Sequence, residues 1–112
     1  MHPDVAYKIL SAADWRLMLA EGRYDGSAVD LADGYIHMST KDQLEQTAAK
    51  HYAGLDDLML VEVLLAPLGE TLVWEPSRGG ALFPHIYGPL PASAVVKTTP
   101  MSVTTDGTMI LS

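Results

Sequence analysis

Cysteine is absent from the 112 residues of this chain. Disulfide bridges, zinc–thiolate sites and cysteine nucleophiles are therefore excluded, and the fold has to be stabilised by packing alone. The absence by itself is neutral about the cellular compartment.

Basic residues are few. The chain has 7 lysines and arginines against 14 aspartates and glutamates, so its formal net charge is -7. A chain this acidic repels phosphate backbones and anionic lipid, and its basic residues are scattered along the sequence. We therefore expect no nucleic-acid partner.

Long apolar runs are missing too. No segment approaches the about 18 apolar residues that a membrane-spanning helix requires. The first ten residues, "MHPDVAYKIL", lack a basic start followed by a long apolar run. We expect a cytoplasmic protein that does not bind membranes.

Motifs of several common site classes do not occur. The histidines lie far apart, at His2, His37, His51 and His85, and no HxH, HxxxH or HExxH pattern is found. We therefore expect no metal site. The GxSxG elbow of serine hydrolases and the glycine patterns of phosphate loops and dinucleotide folds are also missing.

The chain does have enough apolar material for one core. Its length and its 48% hydrophobic content are those of one domain, so we assign residues 1–112 to a single domain. Branched and aromatic residues predict strands, which we place at residues 5–10, 34–40, 58–65 and 71–75 and in the tail after residue 94. The strand at 58–65 is almost continuously apolar, which predicts a central strand covered on both faces.

Two helices are predicted between the first strands. Ser11 is placed to cap the first helix, Gly22 to end it, and Leu19 belongs to its apolar face. Thr40 and Gln43 match the capping-box pattern at the start of the second helix. Turn-forming residues predict loops at 23–34 and 76–93. The order favours an α+β fold with a mixed or split antiparallel sheet and two main helices.

The stretch "DGYIHMST", residues 33–40, places polar groups on one side of a strand. Alternation puts Tyr35, His37 and Ser39 on the same face, while Ile36 and Met38 face the core. Taken alone, a histidine in such a position is more often a packed residue with a backbone hydrogen bond than part of a site. The polar face that it shares with Ser39 favours a binding role.

A second polar interruption lies in "FPHIYGPL", residues 83–90. Its apolar side chains anchor the segment, and its prolines and glycine restrict the backbone. The segment is either a rigid plug over one end of the sheet or a pocket wall that presents His85 and Tyr87. Glu75 ends the strand "TLVWE" just before this region, where it is either an exposed carboxylate or a general base.

Several of these motifs together resemble one protein family. "DGYIHMST" followed by Gln43, "YAGLDDLMLVEV", "VWE" and "FPHIYGPLPASAVV" are similar to the small bacterial proteins grouped as domain of unknown function 952. The likeness extends from the first strand to about Lys97. The family name states no activity.

A more distant likeness connects the family with the ADP-ribosyltransferase fold, in which a split sheet grips NAD in a cleft. The resemblance implies an ADP-ribosyltransferase-like fold with NAD as the cofactor or substrate. Lys8 in "YKIL" stands where such folds place His or Arg on the first strand. His37 matches the second polar position and Glu75 the third, and these two would be catalytic.

The resemblance also implies roles for other side chains. Glu75 would stabilise an oxocarbenium-like state when the ribose–nicotinamide bond breaks, and His37 with Ser39 would fix the ribose hydroxyls. Tyr35 or Tyr87 would stack on a ring of the ligand. The ligand-binding residues that we assign are Ser39, Thr40, Gln43, His85 and Tyr87.

Two functions stay open at this point. One is an NAD-dependent transferase or glycohydrolase. The other is a non-catalytic module that keeps the cleft for a small nucleotide-like ligand or a protein partner. The two functions differ in the structure that they require. Catalysis requires His37 and a carboxylate to face one cavity, whereas a packing role would leave them apart.

Overall fold

Three α-helices and nine strands form in the part of the chain that the computed structural model describes, residues 2–112 without the side chain of Arg78. The domain is α+β with antiparallel sheets. The helices are α1 (Ala12–Glu21), α2 (Ala28–Asp33) and α3 (Lys41–His51). The strands are β1 (Val5–Ser11), β2 (Arg23–Tyr24), β3 (Ile36–His37), β4 (Leu58–Leu64), β5 (Leu72–Pro76), β6 (Leu82–Ile86), β7 (Leu90–Pro91), β8 (Val95–Val103) and β9 (Met109–Leu111).

The larger sheet has the strand order β1-β4-β8-β9, and β4 lies inside it as the sequence predicts. Its side chains alternate between two apolar clusters. Val61 and Val63 pack in one of them, and Leu58 and Leu60 pack in the other. The nearly continuous apolar character of β4 therefore follows from burial on both faces.

A smaller sheet has the order β3-β6-β5, and a third consists of β2 and β7 alone. An isolated bridge joins the first two sheets, because Tyr7 in β1 donates its N–H to the carbonyl of Ser39 at 2.8 Å and accepts the Ser39 N–H at 2.9 Å. The residues just after β3 are therefore fixed to β1. His37 lies at this junction.

Both main helices begin where their sequence signals place them. The Asp14 amide donates to Ser11 Oγ at 3.0 Å, and Gly22 ends α1 in the left-handed conformation with φ of 78°. Gln43 Oε1 accepts the Thr40 amide at the start of α3. The predicted apolar face of α1 is only partly correct, because Leu19 is exposed.

The segment 23–34 was predicted as a loop, and this prediction is wrong for most of it. It contains β2 and the short helix α2. Ser27 and Asp30 form a reciprocal capping box, in which Asp30 Oδ2 accepts the Ser27 amide and Ser27 Oγ accepts the Asp30 amide. Gly34 then ends α2 with φ of 88°. Local capping thus stabilises a helix of 6 residues whose buried residue is Asp30.

The segment 76–93 was also predicted as a loop, whereas it contains β6 and β7. Its prolines misled the prediction, since proline lacks the N–H that a strand ladder uses. Pro84 lies within β6, and its carbonyl accepts the Met38 amide at 3.0 Å directly after β3 ends. Pro84, which has no N–H to donate, therefore lies opposite the residue that follows β3. Strand β3 (Ile36–His37) is much shorter than the strand predicted at residues 34–40.

No helix within residues 2–112 has the length and apolar character needed to cross a membrane.

The approach of α2 to the preceding turn depends on a glycine. Gly26 has φ of +123°, and a Cβ at this position would lie 2.8 Å from Asp30 Cβ. We expect Gly26→Ala to lower the free energy of unfolding by about 1–3 kcal/mol more than Gly22→Ala, because it adds a steric clash to the strain of a positive φ. Gly22 is the matched control, since its added Cβ would have open space around it. Equal losses in urea unfolding would contradict the clash.

Candidate functional site

Two histidines from neighbouring strands face one cleft. His37 in β3 and His85 in β6 are directly paired in register, so their side chains lie on the same face of the sheet. Their ring centroids are 5.5 Å apart in an edge-to-face arrangement. Both rings line a cleft of about 460 Å³. Because both histidines interrupt apolar patterns, the sequence predicts that they share one pocket despite the 48 residues between them, and their common cleft confirms this.

A buried ion pair lies behind His37. The ammonium of Lys8 is 3.0 Å from Asp30 Oδ2 and 3.2 Å from Oδ1, and it also donates to the His37 carbonyl at 2.8 Å. Asp30 and Lys8 are both buried, at 2% and 7% exposure. Since an unpaired buried charge is costly, each of these residues requires the other.

The two members of this pair respond differently to burial. Burial lowers the pKa of Lys8, and the attraction of Asp30 offsets this only in part. Burial alone would raise the pKa of Asp30, but the Lys8 ammonium and hydrogen bonds from Ser27 and His37 hold it below its usual value of 3.8. Asp30 is therefore a stable carboxylate at neutral pH.

Asp30 also orients the imidazole of His37. Its Oδ1 is 2.6 Å from His37 Nδ1 and accepts the His37 backbone amide at 3.1 Å. On the other side of the ring, His37 Nε2 is 2.9 Å from Asp33 Oδ2. Carboxylates only accept hydrogen bonds, so the ring can donate to both of them at once only as an imidazolium. His37 is thus arranged as a hydrogen-bond donor.

His85 has a carboxylate partner of its own. Its Nδ1 is 2.7 Å from Glu75 Oε1, which also accepts the Tyr87 hydroxyl at 2.7 Å. When the neutral ring donates from Nδ1, Nε2 becomes an acceptor. Tyr35 stacks on His85 with centroids 4.1 Å apart and lies 5.2 Å from Tyr87. Each histidine of the cluster thus has a carboxylate within hydrogen-bond distance of Nδ1, and His37 has a second one at Nε2.

The hydrogen bonds around Glu75 also shift its pKa and that of its partner. Donation by Tyr87 and His85 lowers the pKa of Glu75. The same hydrogen bond to Glu75 raises the pKa of Tyr87 to about 12. Glu75 is thus held in its ionised form beside the aromatic rings.

The predicted site residues divide into three groups. His37, Ser39 and His85 line the cleft, where Ser39 Oγ lies 2.8 Å from Thr47 Oγ1. Glu75 and Tyr87 lie outside its lining, where Glu75 contacts the lining residue His85 and Tyr87 donates its hydroxyl to Glu75.

Thr40 and Gln43 form the third group. They meet at the start of α3, away from the cleft lining, and Gln43 Nε2 donates to the carbonyl of Leu82 at 2.7 Å. Their contacts tie α3 to β6, and ligand binding by them stays a prediction.

Sequence reasoning missed the two aspartates of α2 and the ion-pair role of Lys8. Two signals were present. Lys8 interrupts the core-facing side of β1 between Ala6 and Leu10, both buried. The spacing of Ser27 and Asp30 is that of a capping box with an aspartate at its third position.

The described residues hold no group of three or more His, Asp or Glu side chains arranged for a metal ion. The expected absence of a metal stays a prediction.

The buried ion pair predicts a distinct response to acid. Asp30→Asn should lower the free energy of unfolding at pH 7 by about 3–5 kcal/mol, because it leaves Lys8 buried without its carboxylate partner. The folded-state pKa of Asp30 lies below 3.8, so its contribution is present above pH 3.8 and is lost as pH falls through the lower folded value. The difference between variant and parent, measured by urea unfolding, should therefore shrink as the pH drops below 3.8.

Asp25→Asn is the matched control, because Asp25 pairs with Arg23 at the surface. Its effect should be small at every pH. A difference for Asp30→Asn that stays constant into the acid range would contradict a stabilising role of the ionised carboxylate.

The Glu75–Tyr87 contact predicts a titration change. In Glu75→Gln the negative charge is removed, so the pKa of Tyr87 should fall from about 12 toward its usual 10.0. NMR titration of the Tyr87 ring measures this value, and Tyr87→Phe identifies its signals. The ring of Tyr24, whose pKa burial raises above its usual value, serves as the internal control and should not move. An unchanged Tyr87 would show that the contact does not form in solution.

Solved structures of one bacterial protein closely resemble this chain. The crystal structure of protein CC0527 from Caulobacter crescentus is 50% identical, with a TM-score of 0.90 over 95% of this chain and 93% of that one. The solution NMR structure of CC0527 is also 50% identical, with a TM-score of 0.81 over 94% of this chain and 90% of that one. No curated protein matches significantly.

The family described as "Protein of unknown function (DUF952)" matches residues 9–98, which include His37, Glu75 and His85. The resemblance seen in the sequence motifs is thereby confirmed at the level of the family. The chain belongs to the DUF952 family.

Proposed function

We propose that the cleft binds NAD or a closely related nucleotide and that the protein acts at the ribose–nicotinamide bond, as ADP-ribosyltransferases and NAD glycohydrolases do. The observation that carries this proposal is the pairing of His37 and His85 across β3 and β6, each with a carboxylate at Nδ1 and both facing one cleft. Such paired dyads are typical of sites that exchange protons with a bound ligand.

The charge of the site suits the proposed ligand. The nicotinamide ring of NAD is a cation, and the aromatic faces of Tyr35 and Tyr87 lie beside the ionised Glu75. Aromatic rings and carboxylates both attract a cationic ring. Breaking the bond to ribose leaves positive charge on the sugar, which a carboxylate in the site stabilises.

The size of the cleft also fits. A volume of about 460 Å³ lies in the range of pockets for small ligands. The lining includes His37 and His85 from the smaller sheet, and Lys50 and Tyr52 from α3 and the residue that follows it. A ligand that carries both a cationic ring and phosphates would meet the carboxylate of Asp33 and the ammonium of Lys50 in this lining.

We further propose that the fold is ADP-ribosyltransferase-like. In support, two antiparallel sheets diverge from the Tyr7–Ser39 bridge, and the cleft opens beside that bridge. Lys8 on β1, His37 on β3 and Glu75 on β5 occupy separate strands, as the three polar positions of that fold do. Here Lys8 is paired with Asp30, so its role would be to support His37 and not to contact the ligand.

A second candidate function is a module that binds a nucleotide-like ligand without chemistry. The observation that favours it is the position of Glu75, which lies outside the cleft lining while its Oε1 is occupied by both His85 and Tyr87. A carboxylate engaged in this way supports the rings of the site but does not directly face a ligand in the cleft.

The binding role is tested with His37→Ala. We expect the variant to lose the thermal stabilisation that NAD and ADP-ribose give the parent, while its free energy of unfolding falls by only ~1 to 2 kcal/mol, typical for a partly buried hydrogen-bonding group. His2→Ala is the matched control, because His2 stacks on Trp74 at 4.0 Å and lies outside the cleft lining. A folded His37→Ala protein that binds as the parent does would overturn the proposal.

Nicotinamide release from NAD separates the two candidates. An enzyme would release nicotinamide, and Glu75→Gln would slow the release while binding persists. A binding module would be stabilised by NAD and would leave it intact.

A further inference from the structure

The two carboxylates that contact His37 differ sharply in their surroundings. Asp30 is buried. Its carboxylate contacts His37 Nδ1, forms an ion pair with Lys8 and accepts hydrogen bonds from two backbone amides. Asp33 touches the opposite nitrogen, Nε2, at 2.9 Å and is 46% exposed. Asp33 also lines the cleft. The first carboxylate belongs to the core, and the second stands at the point where a ligand would meet the ring.

The contact of Asp33 is weak enough to be exchanged. Ion pairs between exposed groups contribute little, because water screens them and holding the side chains restricts their rotamers. His37 itself is about one-third exposed, at 34%. Losing Asp33 from Nε2 would leave the ring in place, because Asp30 still holds Nδ1 and β3 still pairs with β6. The ring is therefore fixed while its outer partner is replaceable.

We propose that Asp33 occupies, in the ligand-free protein, the position at His37 Nε2 that an oxygen atom of the ligand takes on binding. Asp33 then acts as an internal competitor that lowers affinity and selects for ligands with a strong oxygen acceptor, such as a carboxylate, a phosphate or a well-oriented sugar hydroxyl. The nature of the full ligand rests on the proposed function, but the exchange at Nε2 does not.

The geometry specifies the class of the incoming group. A carboxylate oxygen already lies at hydrogen-bond distance from Nε2 with its side chain in the cleft, so an oxygen acceptor is compatible with the space there. A donor such as an ammonium could not replace it while Nε2 carries a proton, because two donors would face each other.

The exchange is tested first without any nucleotide. Nitrogen-detected NMR of the imidazole rings reports the partner of each ring nitrogen in the parent and in Asp33→Ala. We expect the His37 Nε2 signal to shift in the variant while the His85 signals stay, and acetate to return the His37 signal toward its position in the parent. Acetate is the probe because its carboxylate is that of Asp33. An unchanged His37 signal, or no response of the variant to acetate, would overturn the proposal.

Affinity for ADP-ribose supplies the second test. Loss of the competing carboxylate should tighten binding by about 5-fold in Asp33→Ala, the ratio that corresponds to an exposed ion pair. Asp33→Asn keeps an oxygen acceptor beside Nε2 and should gain less. Equal gains for the two variants would indicate a simple charge effect and would overturn displacement, as would weaker binding by Asp33→Ala.

Glu45→Ala is the control for net charge, because Glu45 is an exposed acid on α3 outside the cleft lining. Its affinity should equal that of the parent. If no protein of the series binds ADP-ribose or NAD, the proposed function fails, and the acetate response of Asp33→Ala still decides whether Nε2 accepts an external oxygen.

Discussion

The ammonium of Lys8 sets the constraint on which the site depends. It lies on the core face of β1 between Ala6 and Leu10, where a charge cannot remain without a partner. Asp30 is the partner, and it comes from α2, a short helix that packs little apolar surface of its own. The ion pair therefore fixes α2 to the sheet. Once Asp30 is fixed, so is the imidazole of His37, because the same carboxylate oxygen contacts Lys8 and His37 Nδ1.

A second constraint acts through the backbone. The direct pairing of His37 with His85 brings two rings to one face, and one residue later Pro84 accepts the Met38 amide but has no N–H to donate. The chain after β3 then turns to the bridge with Tyr7 and enters α3. Met38 and Ser39, which directly follow β3, line the cleft, so the end of the β3–β6 pairing lies at the site.

The sequence predicts those parts of the fold that local rules decide. Ser11, Gly22 and Gln43 mark helix ends by capping, and the apolar run of β4 marks a central strand. The confirmed family membership was visible in the motifs around His37 and His85. These features depend on neighbours within a few residues, which the sequence displays directly.

The rest depends on contacts that are distant along the chain. Asp30 meets Lys8 across 22 residues and Gln43 reaches Leu82 across 39, so neither partner could be inferred from its local pattern. The prolines of segment 76–93 predict a loop when the segment is considered without its neighbouring strands. Only the pairing with β3 and β5 makes "LFPHI" a strand.

The charged groups behind the histidine rings, the back of the site, are fixed, whereas those in front of the rings can exchange partners. Electrostatics explains this difference. Behind the rings, charges are buried and paired, and any rearrangement there would leave an unpaired charge in the core. In front, Asp33 and Glu75 are partly exposed, so water can replace a lost partner at little cost. The exchange that we propose at His37 Nε2 would therefore change contacts at the front without disturbing the fold. The His37 ring can therefore be held in place through one nitrogen and contact other groups through the other. Asp30 contacts Nδ1, whereas Nε2 contacts the exposed Asp33.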